Sequence, residues 1–292
     1  MDPIAKRQTE DELLTKVPAV TLGFWAIKIL ATTLGETGGD SVTMTLNFGY
    51  LGGSAIFLLV LLLLVYWQIA ARRFHPFLYW ATIIASTTAG TAMADFATRS
   101  LGIGYAGGSA LLLVLVLWSL LAWRRTLGSV NVDTVYEPRA EGFYWLTITS
   151  AQTLGTALGD WLADTGGLGY GGAALVFGAT LAVLAALYYR TAVSRVLLFW
   201  SAFILTRPLG AAVGDFLDKP IREGGLAFSR PVASLVLTAM IVALVLVLPQ
   251  RAGRHSGSPK IRRDSDQVRI GRRPTISGRG ESVKRSAVER QP

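Results

Sequence analysis

Trp25 to Asp40 reads WAIKILATTLGETGGD, and the chain writes this pattern three more times, as WATIIASTTAGTAMAD (80–95), WLTITSAQTLGTALGD (145–160) and WSAFILTRPLGAAVGD (200–215). In each copy a Gly stands ten residues after the Trp (Gly35, Gly90, Gly155, Gly210), an Asp stands fifteen after it, and a Gly or Ala directly precedes the Asp. A second block follows, FGYLGGSA (48–55), IGYAGGSA (103–110) and LGYGGAAL (168–175), decaying to LAFSRPVA (226–233) in the fourth copy, and a long apolar run comes after each. Self-similarity at a fixed period means that one supersecondary unit is built several times over. The Trp-to-Trp steps are 55, 65 and 55 residues, so copies 1 and 2 map onto copies 3 and 4 at a constant 120. A hairpin doubled and doubled again accounts for this spacing.

The 292 residues are 51% hydrophobic and 16% charged, with a mean hydropathy of +0.44, whereas soluble domains carry about a quarter charged residues. The apolar runs near 56–67, 110–123, 173–188 and 232–248, with their flanks, reach the roughly 20 residues that a spanning helix needs. The less apolar Trp-to-Asp segments are helix candidates of similar length. The expected fold is therefore an all-α integral membrane protein of eight transmembrane helices, arranged as four parallel two-helix repeats. Each repeat has an even number of spans, so every copy enters the membrane in the same direction, and any pseudo-symmetry axis runs along the membrane normal.

The expected organisation is a polar lead (1–17), a first membrane half (18–123, with Pro18 opening the first span), a linker (124–142), a second membrane half (143–249) and a basic tail (250–292). The net charge of +9 belongs almost wholly to that tail, which carries 12 Lys/Arg against 4 Asp/Glu. The tail has no apolar periodicity and reads as disordered. Anionic lipid headgroups are its candidate partner, nucleic acid is not, and simple solvation with a part in fixing topology is the plainer reading. Lys/Arg residues also crowd the loops on the Trp side, among them Arg72, Arg73, Arg124 and Arg125. Both termini are expected in the cytoplasm of a bacterial inner-membrane protein, with the four Asp toward the outer face. The N-terminal residues have no apolar core of the kind a signal peptide needs.

Within each Trp-to-Asp helix, residues three and four apart share a face. Thr33, Glu36 and Asp40 form such a stripe, as do Thr88, Thr91 and Asp95, and Thr153, Thr156 and Asp160; the fourth copy has Pro208, Ala211 and Asp215. A carboxylate at membrane depth costs about 2.5 kcal/mol or more, so its fourfold recurrence asks for a reason. One reading is a cation site or pathway; the other is that each Asp caps the turn that follows it. Gly35 with Gly39, Gly90 with Ala94, Gly155 with Gly159 and Gly210 with Gly214 are small-x-x-x-small pairs, which let helices pack closely in lipid. Trp25, Trp80, Trp145 and Trp200 read as interface anchors.

Two charges are private to single copies. Arg207 stands where the others have Thr32, Thr87 and Gln152, and Lys28 stands where they have Ile83, Ile148 and Phe203. Both are read as internal counter-charges, with Arg207 paired to Asp215 or Glu36, while Pro208 is expected to kink or end its helix. Lys28 and Arg207 against Glu36 and the four Asp leave an excess of three negative charges, which favours cations. No Cys is present, and His75 and His255 fall in loop or tail; oxygen ligands alone suit Mn²⁺, Mg²⁺, Ca²⁺, Na⁺ or H⁺.

Four tandem two-helix copies, each with its Trp and Gly-Asp, resemble the bacterial membrane proteins built from a "repeat of unknown function". The resemblance covers about residues 18–249 and implies an eight-span inner-membrane protein; it carries no established activity. The expected function is transport of a small hard cation along an Asp/Thr-lined path between the odd-numbered helices, with a structural or sensory scaffold as the alternative. No Ser/His pair, His-rich metal motif or phosphate loop occurs, so an enzyme is not expected. No cofactor is implied beyond a bound monovalent or divalent cation.

Overall fold

The computed structural model describes residues 14–135 and 137–254. Among these lie eight α-helices: α1 (Leu22–Asp40), α2 (Gly49–Ala70), α3 (Pro76–Asp95), α4 (Gly104–Leu127), α5 (Pro138–Asp160), α6 (Gly169–Arg190), α7 (Arg195–Asp218) and α8 (Arg230–Val247). A short antiparallel ribbon pairs β1 (Leu14–Pro18) with β2 (Ala252–Arg254). The expected lead and tail are thus tied together at residues 14–18 and 252–254, while what is expected of residues 1–13 and 255–292, including lipid binding by the tail, falls outside the described residues. Pro18 belongs to the ribbon and does not open α1. That helix starts at Leu22, where the Thr21 side chain accepts a hydrogen bond from the Phe24 N–H at 3.3 Å and so satisfies one otherwise unpaired donor.

The odd helices form a closed ring: α1 packs on α3, α3 on α5, α5 on α7 and α7 on α1. The two helices of one copy do not pack against each other along their length. Instead each outer helix lies on the inner helix of the next copy, α2 on α3, α4 on α5 and α6 on α7, and α8 returns to cover α1. The repeat is therefore cyclic, with the end of copy 4 completing copy 1.

The cause is visible at the glycines. A Cβ on Gly35 would collide with Thr87, on Gly155 with Arg207 and on Gly210 with Thr32, and on Gly90 it would press on Gln152. The Gly ten residues after each Trp thus receives the residue seven after the next Trp, with copy 4 handing on to copy 1. One turn further, Gly39 receives Thr91, Gly159 receives Ala211 and Gly214 receives Glu36. The small pairs bring the inner helices together as expected.

Five helices (α2, α4, α6, α7 and α8) are long and apolar enough to cross a membrane. Their unburied large side chains, such as Leu59, Leu62, Leu113, Leu117, Val183 and Leu235, clothe the outside of the bundle. The other three, α1, α3 and α5, carry buried Thr, Gln, Lys and carboxylate side chains. A ring enclosed by apolar helices can hold such groups because they never meet lipid. Pro208 does not end α7, which runs through it from Arg195 to Asp218.

The Trp residues are not interface anchors. Trp80, Trp145 and Trp200 are 2%, 3% and 4% exposed, and Trp25 is half-buried. Each follows another aromatic residue (Phe24, Tyr79, Tyr144, Phe199), packing edge to face within the pair, and the pairs meet at tilted or edge contacts in a closed circuit around the ring. Phe24 meets Trp80 at 5.5 Å, Tyr79 meets Trp145 at 5.7 Å, Tyr144 meets Trp200 at 6.4 Å and Phe199 meets Trp25 at 5.9 Å between centroids. Buried indoles need acceptors: Trp80 Nε1 donates to Gln250 Oε1 at 3.1 Å and Trp200 Nε1 to the Val130 carbonyl at 2.9 Å. Val17 of the ribbon and Val132 and Val135 of the α4–α5 connection complete this core. The Trp end of the bundle is plugged.

Candidate functional site: a buried carboxylate layer

At the other end the inner helices run into their Asp residues, and Asp40, Asp95, Asp160 and Asp215 are all buried. After α1, α3 and α5 the chain continues as a π-helical turn (Ser41–Thr45, Phe96–Ser100, Trp161–Thr165), and none of Asp40, Asp95 or Asp160 makes a side-chain capping bond there. The capping reading does not apply to them. The four side chains converge instead. Ligand oxygens of Glu36, Asp160 and Asp215 lie within 4.8 Å of one another, as do those of Asp40, Asp215 and Asp218. Glu36 and Asp160 come from α1 and α5, opposite members of the ring, so this cluster sits on the central axis.

Basic residues from beyond the helix ends fold back onto the layer. Arg99 Nε meets Asp95 Oδ1 at 2.9 Å, and its Nη2 meets Asp160 Oδ2 at 3.3 Å. Lys219 Nζ bridges Asp215 Oδ1 at 3.1 Å and Asp40 Oδ2 at 3.0 Å. Arg230 reaches Asp218 Oδ2 at 3.2 Å and Asp40 Oδ2 at 3.8 Å. Burial works against the charge of Arg99 and Lys219. The attraction of Asp95 and Asp160 for the one, and of Asp215, Asp40 and Asp218 for the other, outweighs it and holds both above their ordinary range. With these cations and Asp218 counted, the negative excess of three expected from the inner helices falls to one. Asp40 Oδ1, Asp160 Oδ1 and Asp218 Oδ1 nonetheless remain buried without a hydrogen-bond donor.

Below the carboxylates the axis stays polar. Arg207, fully buried on α7, donates from Nη2 to Glu36 Oε2 at 2.8 Å and to Thr91 Oγ1, and from Nη1 to the Thr32 carbonyl at 3.2 Å. Of the two partners expected for it, Glu36 is the one it takes. Thr91 in turn donates to the Gly35 carbonyl at 3.1 Å. Thr156 sits at the equivalent place on α5, buried, with its hydroxyl toward the Gln152 carbonyl at 3.4 Å. Thr33, Thr88 and Thr153 donate to carbonyls four residues back in their own helices, at 3.0, 2.8 and 2.9 Å. Those three hydroxyl protons are not offered to the axis; the residues one position earlier, Thr32, Thr87, Gln152 and Arg207, make the inter-helix contacts. Deeper still, Lys28 Nζ donates to Gln152 Oε1 at 3.3 Å and lies 4.2 Å from the Phe203 ring centroid.

Above the layer a cavity of about 430 Å³ opens at the Asp end, lined by Arg99, Ala163, Asp164, Gly169, Tyr170, Lys219 and Glu223. Asp164 accepts hydrogen bonds from Tyr105 at 2.7 Å and Tyr170 at 3.3 Å, so two tyrosines of the Gly-Tyr blocks border this mouth. Sequence reasoning missed Arg99, Lys219, Asp218 and Arg230 as parts of the site. The signal was present: Arg99 and Lys219 each stand four residues after an Asp, 120 residues apart, in copies 2 and 4 alone.

A model of the family "Repeat of Unknown Function (DUF347)" matches residues 23–74, 78–129, 143–194 and 198–250, and the chain belongs to this family. No curated protein and no solved structure matches it.

Proposed function

We propose that this member of the repeat family is a membrane transporter of a small hard cation, with Glu36, Asp160 and Asp215 as its central binding site. The observation that carries the reading is the approach of these three buried carboxylates to within 4.8 Å on the ring axis, with Asp160 Oδ1 lacking any donor. Carboxylates so placed repel one another unless a cation or proton intervenes. An all-oxygen set with no Cys or His suits Mg²⁺, Mn²⁺, Ca²⁺ or Na⁺, ions that differ in the rigidity and number of ligands they demand. The mouth at the Asp end supplies access, and the aromatic plug closes the Trp end in this state. Alternating access would open the plug.

The test is binding and flux together. Titration calorimetry of Mn²⁺, Mg²⁺, Ca²⁺ and Na⁺ against the full chain in nanodiscs is expected to show one ion binding, with Asp160→Asn weakening it at least tenfold. Proteoliposomes should take that ion up in the wild type and not in the variant. A folded protein that neither binds nor moves any of them returns the molecule to the scaffold reading, in which the carboxylates and their Arg/Lys partners merely lock the helices.

The bacterial inner membrane, with the Trp end toward the cytoplasm, completes the proposal. Because the chain has no Cys, an impermeant maleimide on intact cells should label Arg222→Cys and spare Glu137→Cys; the reverse pattern inverts the topology.

A further inference from the structure

Lys28 is the one fully buried charge of the inner ring, among the described residues, that has no carboxylate partner. At its own repeat position the other three inner helices supply Ile83, Ile148 and Phe203, all fully buried. The outer helix α8 adds Leu237, Ile241 and Val245 to the same apolar core. The nearest charge on any of these helices is Arg207, one turn toward the Asp end and already engaged with Glu36. The polar partner of Lys28 is the amide of Gln152, reached across the ring axis at 3.3 Å. The other end of that amide, Gln152 Nε2, is buried with nothing to donate to.

An ammonium in such a place has its charge supported by one carbonyl oxygen and one aromatic face. A neutral amine there has a lone pair to satisfy, and an amide turned end for end would supply the donor. We propose that Lys28 and Gln152 form a proton-exchange site, the coupling site of the molecule, in which Lys28 holds a proton while the carboxylate layer is free and releases it when a cation enters. On release the Nζ–H bond breaks, the electron pair stays on nitrogen, the proton passes to water admitted when the aromatic plug opens, and the Gln152 amide turns its Nε2 toward the amine. The coupling rests on the cation reading of Glu36, Asp160 and Asp215.

Glu36 lies eight residues from Lys28 on α1, about 12 Å along the helix. At that separation and an effective dielectric constant near 20, each unit of positive charge gained at the carboxylates changes the proton affinity of Lys28 about tenfold. That is enough to make cation and proton alternate, and too little to abolish either alone. Gln152 is private to copy 3 as Lys28 is to copy 1, and the pair joins those two copies diagonally. A merely structural lysine would be expected to sit beside an acid or at an interface.

The experiment uses the full chain in weakly buffered nanodiscs, with a pH indicator read as Mn²⁺, Ca²⁺ or Na⁺ is added. Wild type is expected to release from Lys28 up to about half a proton per Na⁺ bound and about 0.8 per divalent cation, as a tenfold change in affinity per unit charge dictates, a release absent in Lys28→Met. Gln152→Glu places a permanent carboxylate beside the ammonium and should also abolish the release while the cation still binds. If both variants bind the cation and release protons as wild type does, the Lys28 assignment is overturned while the cation site stands.

Lys28 is also read directly by ¹³C-lysine NMR, assigned against Lys28→Met among only six lysines. Its resonance is expected to move at lower pH than those of the other lysines and to stay still there in Gln152→Glu. A resonance that stays still in wild type overturns the proposal, whether or not any cation binds. Absence of cation binding with a moving resonance overturns the carboxylate reading instead.

Discussion

The carboxylate layer holds two versions of one device. In copy 2, Arg99 ties its own Asp95 to Asp160 of copy 3; in copy 4, Lys219 ties its own Asp215 to Asp40 of copy 1. The two bridges occupy the same repeat position 120 residues apart, so the layer follows the later duplication into halves and not the fourfold ring. They differ in setting. The Arg99 side chain is 35% exposed at the mouth, near Tyr105, whereas that of Lys219 is 10% exposed and stands beside a second pair, Asp218 with Arg230. Copy 2 has Thr98 where copy 4 has Asp218, and Thr98 donates to the Ala94 carbonyl of its own helix at 2.9 Å. Identical wiring in wetter and drier surroundings separates what an ion pair does from what burial makes of it.

Breaking the drier bridge has the larger expected effect. Lys219→Met leaves Asp40, Asp215 and Asp218 facing one another, and loss of one partner of a buried pair costs about 3–5 kcal/mol. At about 2–4 °C per kcal/mol for a chain of this size, thermal unfolding in detergent should begin about 10 °C lower. The deficit should shrink as pH falls, because protonated carboxylates no longer repel. In the wild type the sign is opposite for the lysine itself. Its folded pKa is raised, so its contribution is fully present below the unfolded value of about 10.4 and is lost only on alkaline titration above it. Stability that fell between about pH 7 and pH 9 in wild type and was level in Lys219→Met would contradict this.

Arg99→Met is the matched break on the wetter side. Solvent screens that bridge and can rehydrate its carboxylates, so about 1 kcal/mol is expected, a fall of about 3 °C. Added salt should narrow the gap between this variant and wild type, and should do so less for Lys219→Met. Equal losses for the two variants would mean that burial does not distinguish the halves.

The smallest effect belongs to Arg230→Gln, which removes the outer partner of Asp218 and leaves the Lys219 bridge in place. The glutamine amide can still donate to Asp218, and Lys219 stays close by, so a cost of about 0.5 kcal/mol is expected, near the limit of a melting measurement. The variant sharpens the comparison by asking whether the second pair matters to the first: made on Lys219→Met, it should cost more than on wild type, since neighbours in one network do not add.

Much of this arrangement was legible in the residues. The inner helices α1, α3 and α5 end at their Gly-Asp or Ala-Asp signals because such ends are local; Pro76, Pro138 and Pro231 stand in the first turn of their helices, where Pro18, expected to open a span, does not. The convergence of the Asp residues was legible too, from four equal Trp-to-Asp intervals entering the membrane in one direction. The Trp misreading has a physical cause. An indole near a helix end suits an interface and a core equally well, and only the aromatic residue before each Trp signalled a ring. Arg99 and Lys219 stand just past a span end, where a basic residue ordinarily counts toward topology; that such residues double back over the carboxylates depends on the turn geometry after each helix.

The unit, its number, its direction and the common level of its carboxylates all follow from intervals along one chain. Which copy meets which does not. Periodicity says that the Gly ten residues after each Trp lies on a face, but not whose side chain fills the space it leaves. The answer is the next copy's residue seven after its Trp, and for Gly210 that residue is Thr32. Closure follows from that contact. Four close approaches of the same kind leave no end unpaired only if the last returns to the first, so α8 covers α1 and the private polar residues of single copies, Lys28, Gln152, Arg207 and Glu36, are brought together on one axis.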